Sequence, residues 1–164
     1  FKPAKPDSGD GLYRRSLYTW WRRTAPAPVM MTLDASKRDV CRVRREVTAS
    51  PLQALILLND PQFVEAARVL AGKLLTQHSA QSADLLEEAF ELFTSRAPTA
   101  AERAVLLNLV AEQHEHFASH PEAAGELLST GQAPNPPGLD PAEHAAHTVL
   151  VNALMNLDES VTKR

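Results

Sequence analysis

The residues whose types and spacing could do chemistry are arginines and tryptophans in the first third of the chain. Arg38, Arg42, Arg44 and Arg45 lie together in RDVCRVRRE. Guanidinium forks at this density could clamp a carboxylate or phosphate through paired hydrogen bonds. They could equally pair with Asp60, Glu65 or the acidic helices of the same chain. Upstream, YRRSLYTWWRR sets Trp20 and Trp21 beside Arg14, Arg15, Arg22 and Arg23. Indole and guanidinium planes stack on nucleobases and sugars, although tryptophan at helical spacing also serves as a core anchor.

All six histidines lie beyond the basic first third, at 78, 114, 116, 120, 144 and 147. His116 and His120 are four apart, as in HExxH, and His144 and His147 are three apart. The stretch reads His-Phe-Ala-Ser-His, with no glutamate in the general-base position, and Pro121 ends the helix there. All are therefore expected as solvated helix-face residues, and no metal ligand set is assigned. The lone Cys41 excludes an intramolecular disulfide and multi-cysteine zinc motifs. It lies between Val40 and Val43 and is expected to be a buried small hydrophobe. There is no CxxCH, so no haem attaches to this segment. GxSxG, Walker, GxGxxG and Cys–His nucleophile patterns are absent too, and no catalytic residue is assigned.

The elements that must position these residues read as helices. Ser50-Pro51-Leu52-Gln53 is an N-cap, a first-turn proline and a capping-box glutamine. Asn59-Asp60-Pro61-Gln62 repeats the device, with Phe63, Ala66, Ala67, Leu70 and Leu74 on one face of the following helix. Leu55 and Leu70 are expected to be buried. Further helices are predicted from Ser82 to Ser95, after Thr99 (a capping box with Glu102), from Pro121 to Leu128, and after Asp140-Pro141-Ala142-Glu143. The last carries Ala146, Val149, Leu150, Ala153, Leu154 and Leu157 on one stripe. Residues 132–139 (QAPNPPGL) form a proline-rich surface loop. Before residue 50 the pattern is weaker. Leu12–Arg23 is read as a short helix, Val29–Leu33 as an extended crossing, and Asp34-Ala35-Ser36 as a turn.

The predicted fold is all-α, an irregular bundle of about six helices with an extended, proline-rich N-terminal portion. Residues 1–164 read as one helical domain, the C-terminal fragment of a larger chain, with residues 1–10 as its lead-in. At 44% hydrophobic and 23% charged, the composition is ordinary for a globular domain. Its charge is uneven: residues 1–50 hold eleven basic and five acidic side chains, the remainder six and fifteen. That asymmetry fits either an anionic partner or a basic layer packed on acidic helices. No apolar run is long enough to span a bilayer.

YRRSLYTWWRRTAPAP, LDASKRDVCRVRRE, SPLQALILLNDPQFVEAARVLA and NALMNLDESVTKR, in that order, resemble the planctomycete PSD-type domain of unknown function. Ala49 and Ser50 stand where Asn and Thr are expected, and serine caps as well as threonine. The resemblance implies an exported, periplasmic or cell-surface setting. It also implies a parent chain in which any haem belongs to a separate cytochrome-c-like domain. It supplies no catalytic residues. Three function classes follow. The first is a non-catalytic interaction or structural module that contacts other domains of the parent or a protein partner. The second is the C-terminal part of an enzyme of polysaccharide or redox metabolism completed upstream. The third is a polyanion binder using the basic half through Arg38, Arg42, Arg44, Arg45, Trp20 and Trp21. Specific nucleic-acid recognition is not expected.

Overall fold

The computed structural model describes residues 8–19, 21, 26–36, 41, 43–44, 48–78 and 82–162. Among them there is no strand, and the fold is all-α. Two short 3₁₀ turns, Gly9–Tyr13 and Ser16–Tyr18, precede α1 (Pro28–Thr32) and α2 (Pro51–Asn59). Then come α3 (Pro61–Gln77), α4 (Ala83–Thr94), α5 (Ala100–Ser119), α6 (Pro121–Leu128), α7 (Pro141–Met155) and α8 (Asp158–Val161). Six of these exceed two turns, as the periodicity implies. The chain forms two compact units, Phe1–Ile56 and Leu57–Arg164.

In the first unit, three expectations are corrected. Within the Leu12–Arg23 stretch, the described residues form two 3₁₀ turns rather than a helix, with Tyr13, Leu17 and Tyr18 exposed, while Trp20, Arg22 and Arg23 lie outside the described residues. Among its described apolar residues Tyr13, Leu17 and Tyr18 gain no burial and Trp21 is only half-buried, so little rewards the cost of nucleating an α-helix. The Val29–Leu33 stretch is not extended. Pro28 opens α1 at a position where its missing N–H is not needed, and Leu33 N–H closes onto the Val29 carbonyl. The helix ends in a Schellman arrangement: Asp34 is left-handed (φ 58°), and Ala35 N–H reaches back to the Met30 carbonyl at 2.8 Å. Cys41 is exposed rather than buried, as are Val43 and Arg44 beside it.

The second unit is built on α7, which is packed by α3, α5, α6 and α4. Ala67, Ala71, Leu74, Leu85, Phe90, Leu150 and Leu154 form its main core. Phe117, Ala124, Leu128, Ala145 and Ala146 form a second cluster under α6. The caps are where the sequence puts them. Asp60 accepts from Gln62 N–H, Ser82 from Asp84 N–H, and Thr99 and Glu102 make a full reciprocal box. Arg96 then forks to Glu102 and Glu159 and stands 4.9 Å from the centre of the Phe90 ring. It ties the α4–α5 corner to α8, and its hydrogen bonds hold the Glu102 carboxyl down to about 2.

Four burial expectations change in this unit and in α2. On α2 the buried residues are Gln53 and Leu57, while Leu55 is exposed beside Leu52 and Leu58. This helix is apolar on every side, so period alone does not choose its inner face. On α3 the inner face is Val64, Ala67, Ala71, Leu74 and Leu75, with Phe63, Ala66 and Leu70 only half-buried. His144 and His147 are not solvated but only 2% and 3% exposed, because all sides of α7 are covered. At the end of its stripe Leu157 is exposed.

Candidate functional site

In the first unit the sequence brings a polar node together from three places. Gln53 enters the first turn of α2, and its side chain makes the expected box: Ser50 N–H donates to Gln53 Oε1 at 2.8 Å, and Gln53 N–H to Ser50 Oγ at 3.3 Å. The rest of the amide is used beyond the box. Nε2 donates to the Thr32 carbonyl at 2.9 Å, to Asp34 Oδ2 at 3.1 Å and to Thr48 Oγ1 at 3.1 Å. Thr48 donates to the same Asp34 oxygen from its backbone N–H and its hydroxyl, both at 2.7 Å. The hydrogen bonds from Thr48 hold the Asp34 carboxyl below the usual carboxylate range.

Asp34 holds this geometry from an unfavourable backbone conformation. A non-glycine residue in the left-handed region costs roughly 1 kcal/mol or more, and such a cost persists where surrounding contacts over-determine it. Here three donors converge on one carboxylate oxygen. The consequence is topological: Asp34 and Thr48 pin the two ends of residues 35–47, the segment that carries the arginines.

Of the candidate site residues, Arg44 is exposed and makes no ion pair or hydrogen bond among the described residues, and Trp21 is half-buried. Arg38, Arg42, Arg45 and Trp20 lie outside the described residues. The acids considered as arginine partners are engaged elsewhere. Asp60 caps α3, and Glu65 accepts the backbone N–H groups of Gln132 and Ala133 at 2.7 and 2.5 Å.

The second unit has its own buried polar cluster around Glu65 and Arg68. Arg68, 1% exposed, donates to the Thr130 carbonyl at 3.2 Å, the Ala133 carbonyl at 2.6 Å and Asn135 Oδ1. Glu65 lies 3.9 Å from it. Gly131 passes so close, at φ 93°, that a Cβ there would overlap the Glu65 side chain. These side chains bind the proline-rich loop to α3, and their donors and acceptors are spent on that loop. The cluster is structural. The sequence reading missed it, because Glu65 and Arg68 look like ordinary surface residues of an amphipathic helix.

His116 and His120 stack with ring centres 4.7 Å apart, and His120 Nδ1 donates to the His116 carbonyl. Among the described residues no group of three or more His, Cys, Asp or Glu is gathered as a metal site. No helix among them is long and apolar enough to cross a membrane.

A family model described as PSD1, protein of unknown function (DUF1553), matches residues 1–110. That span takes in the whole Asp34–Thr48–Gln53 node and α1 to α4. None of the curated proteins and none of the solved structures matches the chain.

Proposed function

The chain belongs to the PSD1 family of proteins of unknown function (DUF1553), and on that premise we propose that it is a non-catalytic helical interaction module. Its contact surface is the arginine-bearing stretch of sequence from 35 to 47. The observation that carries this reading is the Asp34 carboxylate, which ties both ends of that stretch through Thr48. Pinning the base removes part of the ordering cost that a free loop pays on binding. Arg38, Arg42, Arg44 and Arg45 then offer paired donors to carboxylates or other anionic groups of a partner. The exposure of Arg44 and its lack of an ion pair among the described residues support a surface role.

The resemblance to planctomycete PSD-type proteins supports an exported or cell-surface parent with a cytochrome-c-like domain. The partner is then another domain of that parent or a separate protein. A polyanion is the second reading, favoured by the same exposed arginine. Co-purification of the full-length parent, with and without the four arginines changed to glutamine, tests the proposal beside heparin chromatography. Loss of a protein partner with an unchanged melt supports the interaction module. Loss of steeply salt-dependent heparin retention alone moves the reading to a polyanion binder. Unchanged partners and unchanged retention reject both.

A further inference from the structure

Where α5 ends and α6 and α7 begin, the second unit opens a cleft of about 550 Å³. Small-molecule pockets run from roughly 300 to 1,000 Å³. The lining is largely apolar, with Phe117, Ala124 and Pro141 contributed by the three helices. Its polar side chains are His114, Asp140 and Glu143, and neither lysine nor arginine is among the described lining residues.

The two carboxylates are in different situations. Asp140 is committed to the cap of α7, accepting Glu143 N–H on Oδ2 at 2.9 Å. Glu143 does not complete the box. Its carboxylate, half-buried, makes no hydrogen bond or ion pair among the described residues. Glu143 lies in the first turn of α7, at its N-terminal end. That end counts as only about half a positive charge, so two carboxylates leave the mouth of the cleft negative. An anion beside apolar surface is stabilised by a ligand that brings its own cation.

We propose that this cleft binds a small organic cation, a primary amine on an aromatic or aliphatic body. The ammonium pairs with Glu143, and the apolar body covers Phe117 and Pro141. This site is separate from the arginine-bearing stretch and stands or falls independently of it.

The test is an NMR titration of the whole chain with phenethylamine, its neutral isostere phenethyl alcohol, and the anion 3-phenylpropionate. Saturable shifts at His114 and Phe117 are expected, with the amine bound about tenfold tighter than the alcohol, as one charge-assisted hydrogen bond supplies. Binding of 3-phenylpropionate should be weakest. Glu143→Gln should erase the preference for the amine, and Ala118→Trp, at an exposed lining position, should fill the cleft and abolish binding. If Ala118→Trp melts early, Glu143→Gln decides alone. Equal affinity for amine and alcohol, a preference that survives Glu143→Gln, or no saturable response would each overturn the proposal.

Discussion

The Arg68 carbonyl accepts a hydrogen bond from His144 Nε2 at 2.9 Å in the middle of the second unit. A carbonyl only accepts, so the His144 ring carries its proton on Nε2. Burial is the largest effect on this ring and pushes its pKa below the ordinary histidine value; the nearby Arg68 and His147 charges push the same way, and the bond to the Arg68 carbonyl opposes them. Glu65, on the α3 turn before Arg68, spends its carboxylate on loop N–H groups.

With its folded pKa lowered, His144 binds its proton more readily in the unfolded chain. Its contribution to stability is complete above the unfolded pKa of about 6.5 and is lost as pH falls below it. Urea unfolding between pH 8 and pH 5 should show that loss, and His144→Gln should flatten it. A wild-type midpoint independent of pH over that range would refute the assignment.

Arg68→Ala should destabilise the protein by about 3–5 kcal/mol, because Glu65 is left as a buried charge without its counter-ion. Gly131→Ala should also destabilise, since the left-handed φ and the Glu65 side chain both oppose a Cβ. Thermal melts check both. A loss under about 0.5 kcal/mol for Arg68→Ala would place it among surface substitutions.

Helix starts were legible because each is written in adjacent residues: a cap, a proline and an acid or amide. Thr99 with Glu102 and Asp140 with Pro141 needed nothing from the rest of the chain. The inner face of α2 was not legible, since Leu52, Leu55, Leu57 and Leu58 surround it with equal hydrophobicity. What decides is Gln53, whose amide is satisfied only if that side turns inward. The Asp34 node was half visible: the turn and the Gln53 cap could be read, but Thr48 joins them across a separation with no periodic signal. His144 and His147 were misread as solvated because burial on every side of α7 depends on four other helices.

Leu154→Ala should cost about 2–5 kcal/mol, as removal of a fully buried leucine does. Leu55→Ala, at a position 56% exposed, should cost less than about 0.5 kcal/mol. Equal costs would mean that α2 turns its other face to the protein. Denaturant midpoints at constant m-value separate the two cases.

Asp34 offers a sharper test, because its backbone and its carboxylate pull in opposite directions. Asp34→Gly removes the cost of the left-handed conformation, roughly 1–2 kcal/mol, but loses the acceptor for Thr48 and Gln53. Asp34→Ala loses the acceptor and keeps the backbone cost. The alanine variant should therefore be the less stable of the two, by an amount near that backbone term. Both should free that stretch equally, seen as faster hydrogen exchange at the Thr48 amide, which donates to Asp34 Oδ2 at 2.7 Å. Asp34→Asn keeps an acceptor oxygen and should protect that amide best of the three. Acid should mimic the loss. With the Asp34 pKa lowered, its contribution is present above the unfolded value of about 3.9 and disappears as pH falls below it. Thr48 exchange that is indifferent to all three substitutions would mean the carboxylate does not hold that stretch, and the contact surface proposed for the arginines would lose its base.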